Sequence, residues 1–383
     1  MKITEVILEA ANPKAGREFQ HLEDLVYIEG PAGLDRALER ISHIRDNSQH
    51  MEVKWDGSPA IVFGRDDTGV FHFGDKYSKD MMSSPEAVYS QYIGRQAEPD
   101  DARKAFAQSM SDLHAYYERA TPKNFRGFIE AGLLYKTTPP LNKNTEYVID
   151  PNTVIYYVDA TSDLGKRIGL SSTGAAATAY FDQLPALGGQ RAPVGDKYKA
   201  IQSEEVVIVA PKFVAAQAEL DDTKINTVQD YIRLQRNAIS DFIAPVDKMA
   251  DWPNIIYNYV NTQVDQPGAL NTLGNNFAEW INNSALSGPK KERALAKIQQ
   301  NPDGYQAMFV TIRAIMHIKD DIIDQLEHPT LQSLGIRAEL KGGFGAGGEG
   351  FVSDPNAGVG PIKMVKRAGF SAANRAMNRG GKA

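Results

Sequence analysis

Lys54-Trp55-Asp56-Gly57 stands between two short apolar runs, Met51-Glu52-Val53 and Ala60-Ile61-Val62-Phe63, with Gly57-Ser58-Pro59 as the turn signal. The runs read as strands on either side of a tight connection. A lysine at such a turn can be a nucleophile where its surroundings keep part of it as the neutral amine. Taken alone it reads as a solvated turn lysine, because four residues with one wildcard recur by chance.

Outward from this turn, the first half mixes both kinds of element. Leu34 to Ile44 carries apolar residues at helical spacing, and Val70-Phe71-His72-Phe73 is a further short strand after Asp67-Thr68-Gly69. Residues 85–120 read as helices. Phe125 to Glu130, Val154 to Asp159 and Glu205 to Val209 read as strands. From about Leu220 to Leu334 strand signals vanish and helical periodicity takes over. Met308, Ile312, Ile315, Ile322 and Leu326 stripe one face of a long helix, and Lys319 interrupts the stripe. The glycine run 342–348 has the composition of a mobile connector. The expected organisation is therefore 1–219, a helical insertion at 220–336, and a last segment 337–383.

The 383 residues are 42% hydrophobic and 23% charged, as in a soluble globular chain with a sizeable core. No apolar run is long enough to span a bilayer, and the first residues lack the pattern of a signal peptide. A cytoplasmic protein with no membrane partner is expected. Cysteine is absent, which excludes disulfides, thiolate metal sites and cysteine nucleophiles. Phosphate-binding P-loop, serine-elbow, zinc-protease and dinucleotide fingerprints are all missing. The net charge of -6 argues against a surface that coats nucleic acid everywhere, yet no acidic residue follows Asp354 while six basic ones do.

Near the far end stand Glu349-Gly350-Phe351-Val352 and Ile362-Lys363-Met364-Val365-Lys366. In this order with the lysine turn they resemble the covalent nucleotidyltransferases, the superfamily of ATP-dependent DNA ligases, RNA ligases and mRNA capping enzymes. That resemblance implies an α+β fold, an ATP-grasp-like ligase domain of antiparallel sheets, here with an inserted all-helical module. It implies ATP as the nucleotide and Mg2+ or Mn2+ as the metal. Lys54 would attack the α-phosphorus, Asp56 would orient it and support the metal through water, and Glu349 would hold the metal. Lys363 would grip the α-phosphate, with Lys366 or Arg367 as a second cation. The spacing Lys-x-x-Lys departs from the family's Lys-x-Lys and puts the two on opposite faces of a regular strand.

Two further segments are similar to family motifs in looser form. Gly127-Phe128-Ile129-Glu130 would bring Glu130 to the ribose, with Ile129 where the family has glycine. Ile155-Tyr156-Tyr157-Val158-Asp159 offers Tyr156 as the ring that stacks on the base, or else as a core tyrosine. Arg65, Lys76, Lys79 and Arg367 are candidates for polynucleotide phosphates, or solvated surface charge. His21, Glu23 and Asp24 fit either a metal site or an exposed polar turn.

What the resemblance implies is joining of 5′-phosphate and 3′-hydroxyl ends. The stretch after Lys366 is too short for the barrel that follows the last motif in DNA ligases and capping enzymes. RNA is therefore expected over DNA, in a compact enzyme of viral or phage type working in the host cytoplasm. A DNA ligase without that barrel, or a non-catalytic nucleotide- or nucleic-acid-binding protein on the same fold, are the alternatives.

Overall fold

The computed structural model describes residues 20–47, 51–76, 78, 80–94, 99–143, 145–184, 187–201, 203–214, 218–219, 222–244, 249–264, 266, 268–353 and 362–380. In chain order the strands are β1 (Gln20–His21), β2 (Met51–Val53), β3 (Ala60–Arg65), β4 (Phe71–Asp75), β5 (Gly127–Tyr135), β6 (Leu141–Asn142), β7 (Glu146–Ile149) and β8 (Val154–Asp159). They continue with β9 (Thr173–Phe181), β10 (Arg191–Ala192), β11 (Val206–Val209), β12 (Ile336–Leu340), β13 (Gly345–Ala346), β14 (Phe351–Ser353) and β15 (Ile362–Met364). The helices are α1 (Leu25–Ile28), α2 (Pro31–Asp46), α3 (Pro85–Ile93), α4 (Asp101–Ala120), α5 (Asp163–Leu170), α6 (Asp222–Ile243), α7 (Trp252–Gln263), α8 (Phe277–Asn283), α9 (Gly288–Gln300), α10 (Pro302–Gln332) and α11 (Ala372–Gly380).

These elements make an α+β fold of three sheets. A small sheet has the order β1-β15-β14-β2, a large one β10-β9-β5-β3-β4 with β11 beside β9, and a third β13-β12-β8-β7-β6. Pairing is antiparallel except for β1 with β15 and β11 with β9. The strands expected around the lysine turn are present. The sequence pattern missed β9, whose central Gly-Ala-Ala-Ala run lacks the β-branched and aromatic residues that mark a strand. Small side chains serve there because β9 is covered: Ala175 and Ala177 pack in the core under α3 and α4, and Ala176 joins the main core on the other face.

Local chemistry sets the boundaries of α3 and α4. The hydroxyl of Ser84 accepts the Ala87 N–H at 3.2 Å, and the carboxylate of Asp100 accepts the Arg103 N–H at 2.7 Å. At the far end of α4 the guanidinium of Arg65 donates to the carbonyls of Glu118, Thr121, Pro122 and Gly69. Arg65 is thus buried and spends its donors on a helix C-terminus, where a cation is favourable. This corrects the expectation that it meets polynucleotide phosphates.

The described residues between 222 and 332 are helices and their connections, as the periodicity required. They do not form a layer of their own. One continuous core runs from Leu22 and Leu34 through Met51, Trp55 and Tyr156 to Ile239, Ile315, Phe351 and Phe370. The glycine run 342–348 is also organised: β13 pairs with β12, and the Gly347 N–H meets the Ala338 carbonyl at 3.0 Å.

Lys319, the break in the α10 stripe, is fully buried, and its ammonium donates to both oxygens of Glu23 at 2.8 and 3.0 Å. Arg367 donates to Glu23 at 2.6 Å, to Asn261 at 3.0 Å and to Asp24. Burial alone would raise the Glu23 carboxyl, but Lys319 and Arg367 together hold it down at about 2. At Asp24 burial wins and the carboxyl is raised despite Arg367. Arg367 is therefore an internal cation and not a phosphate contact, and Glu23 and Asp24 are neither metal ligands nor surface. A buried pair of this kind is costly to break from one side, since the remaining charge is left uncompensated. Lys319→Met should lower unfolding stability by about 3–5 kcal/mol, measured by urea denaturation, and a loss below about 1 kcal/mol would show that the cluster tolerates a missing partner.

Candidate active site

The lysine turn is far in sequence from the Glu-Gly strand and the lysine strand, yet the three are adjacent in the small sheet. Phe351 sits opposite Val53 on β2 and Met364 on β15, and all three point into the core. The period of two then puts Glu52, Val352 and Lys363 on the other face. Just past the end of β2, the Lys54 N–H donates to the Gly350 carbonyl at 2.8 Å, which extends the ladder by one bond.

Next to it the Lys54 ammonium is paired with the Glu349 carboxylate. The two differ in exposure: 31% of the Lys54 side chain is open to solvent, against 6% for Glu349. Burial raises the Glu349 carboxyl, and Lys54 and Lys363 counter it only in part. Lys363 is half-buried on the neighbouring strand and close enough to act electrostatically on Glu349. Lys366 lies beyond the end of β15 and pairs instead with Asp324 on α10. The two lysines separate because the strand ends at Met364 before Lys366, not because they face opposite sides of one strand, and Lys363 is the one near Glu349.

Glycine is needed at two points of this arrangement. Gly350 has φ +97°, and a Cβ there would lie 2.1 Å from the Met364 carbonyl oxygen. At Gly57 a Cβ would lie 2.5 Å from the Gly132 carbonyl carbon, so the turn after Lys54 presses directly on β5. Asp56 anchors the same turn. Its carboxylate accepts from Asn152 Nδ2 at 2.9 Å and from the backbone N–H groups of Thr153 and Val154 at 2.6 and 2.8 Å. These bonds leave little lone-pair capacity for the metal role expected of Asp56 and make it first a clamp on the Lys54 turn.

Tyr156 is placed differently from the expectation of a stacking ring. It is 1% exposed, packs against Trp55 with ring centroids 5.1 Å apart, and its hydroxyl accepts the Asp56 N–H at 2.8 Å. It is a core tyrosine that braces the turn. Glu130 lies on β5 on the same face as Gly132, and so on the side where Gly57 packs. Its Oε1 accepts from the Thr178 hydroxyl at 3.3 Å and lies 3.8 Å from Arg191. Lys76 is exposed just after β4, and Lys79 lies outside the described residues. A cavity of about 370 Å³ opens beside the turn, lined by Ser58, Leu134, Tyr135, Lys136, Pro140 and Ile149, and neither Lys54 nor Glu349 lines it.

Sequence reasoning missed Asn152, whose only signal was its place in the turn Asp150-Pro151-Asn152-Thr153. It also missed Glu327, which comes to the glycine loop from α10 and carries no motif. Among the described residues, no three His, Asp or Glu side chains converge to cage a metal ion. Of the carboxylates here, Glu349 is the one that could offer an oxygen to a hard divalent cation, which would take its other ligands from water.

The raised Glu349 carboxyl has a consequence for stability. A carboxyl with a higher value in the folded chain binds more protons there than when unfolded. Its charge therefore lowers stability as pH rises from 4.5 through the folded value. At pH 7 Glu349→Gln should consequently unfold at the same temperature as the parent or higher. A clear loss of thermal stability would contradict the view that Glu349 is held charged at the protein's expense.

No curated protein and no solved structure matches the chain. Residues 17–379 match the model of a family described as a family of unknown function, DUF6267, and the chain belongs to that family.

Proposed function

We propose that this protein is an ATP-dependent polynucleotide ligase that works through a lysyl-nucleotide intermediate on Lys54. The observation that carries the reading is the convergence of Lys54, Glu349 and Lys363 at the small sheet, Lys54 coming from a segment about 300 residues before the other two, in the order in which the nucleotidyltransferases use them.

In this reading Lys54, one-third open to solvent, gives up a proton to water and its amine attacks the α-phosphorus of ATP. A P–N bond forms and the bond to pyrophosphate breaks. Lys363 neutralises charge on the α-phosphate as it develops. The Asp56 clamp and the Gly57–Gly132 contact hold the lysine turn in place. Glu349, paired with Lys54, orients the lysine and is the carboxylate that would hold a divalent cation at the site. When bound, Mg2+ supplies Lewis-acid stabilisation of the phosphates. A terminal 5′-phosphate oxygen then displaces Lys54 from phosphorus, and a 3′-hydroxyl displaces AMP to seal the strand. RNA is the substrate class that the resemblance favours. Since Tyr156 is a core side chain, the base contact falls to other groups.

Two measurements test this. With Mg2+ and α-labelled ATP, wild-type protein should take up acid-labile label. Lys54→Ala and Lys54→Arg should take up none while remaining folded, because arginine keeps the charge but offers no amine at neutral pH. Label that persists in Lys54→Ala would sink the assignment. Glu349→Gln should label about 100-fold more slowly, and wild-type labelling at low Mg2+ would remove Glu349 from the metal. Failure of the wild type to label with ATP or GTP would favour the non-catalytic nucleotide-binding alternative.

A further inference from the structure

Glu327, near the end of α10, is 8% exposed, and its carboxylate accepts the backbone N–H groups of Gly348 and Gly350, the residues on either side of Glu349. Gly350 passes the connection on, since its carbonyl accepts the Lys54 N–H at 2.8 Å. A Cβ on Gly348 would come within 3.1 Å of Glu327 Oε1, so the loop lies directly against the carboxylate. Burial raises the Glu327 carboxyl, and the bonds from Gly348 and Gly350 and the charge of Lys366 work against that rise. The same helix holds Glu23 through Lys319, eight residues or about two turns earlier.

We infer that Glu327 is a positioning residue: it fixes the loop on both sides of Glu349 and so sets where that carboxylate meets Lys54 and the metal. The helical segment is then part of the nucleotidyl-transfer centre and not only an accessory to it. The inference rests on reading Lys54 and Glu349 as that centre. Its physical basis is that two N–H donors of the loop, one on a half-buried and one on a buried glycine, find their acceptor in one side chain. Without that side chain they go unmet, and the loop relaxes to satisfy them elsewhere. A carboxylate ligand freed in this way holds a metal less well.

Glu327→Ala and Glu327→Gln in the full chain test it with two readouts. Amide hydrogen exchange across residues 345–353, without nucleotide, reports the loop. The Mg2+ concentration for half-maximal Lys54 labelling reports the site. Glu327→Ala should lose protection in this segment and raise the Mg2+ requirement about tenfold. Glu327→Gln keeps an acceptor oxygen and should stay near the parent in both. Unchanged protection in Glu327→Ala overturns the inference. So does lost protection with a wild-type Mg2+ requirement, which would make Glu327 a structural anchor only. If the parent protein takes up no label, the nucleotidyl-transfer reading falls and takes the inference with it, while the exchange data still show separately whether Glu327 holds the loop.

Discussion

The fold depends on four ionisable groups brought together out of water. Glu23 and Asp24 come from the first described turn, Lys319 from the middle of α10, and Arg367 from just after the last strand. Two cations facing two acidic groups let all of them be buried, which none could be alone. The geometry also settles topology. Arg367 follows β15 by three residues, and Glu23 follows β1 by two, so the cluster lies beside the parallel pairing of those strands. Their neighbour β14 carries the residues that follow Glu349, and β2 beyond it leads into Lys54. The cluster thus secures the edge of the sheet on which the site is built.

Around the site, stability and chemistry pull in opposite directions. Glu349 is buried enough for its charge to be unfavourable, and its main counter-charge is a lysine that is one-third exposed. A purely structural pair would gain more from a fully enclosed partner, as Glu23 has in Lys319 and Arg367. The two carboxylates therefore divide by environment. Glu23 is overcompensated and its carboxyl is driven down, whereas Glu349 is undercompensated and driven up. Groups whose ionisation is left poised by burial and an incomplete partner are where function is sought first.

Much of this was legible in the residues. The turn at Lys54, its flanking strands and the helical stretch follow from periods of two and 3.6 and from turn chemistry. What failed was the assignment of environment to polar side chains. Arg65 and Arg367 read as surface cations, because a sequence does not tell a guanidinium that binds phosphate from one that closes a helix end or an internal ion cluster. Tyr156 left both readings open, and the hydroxyl bond to the Asp56 N–H is a contact across 100 positions that no local pattern carries. Lys319 was visible as an exception to an apolar stripe, but its partner lay 296 positions away. Glu327 left no trace, since one acidic residue on a helix is ordinary until a glycine loop is laid against it.

The central claim is that Lys54 is the nucleophile of a covalent nucleotidyl transfer. Intact-mass analysis after incubation with ATP and Mg2+, followed by peptide mapping, tests it most directly. One adenylyl adduct per chain is expected, on the peptide that contains Lys54 and removed by acid or by pyrophosphate. An unmodified chain, or an adduct on a different residue, would contradict it.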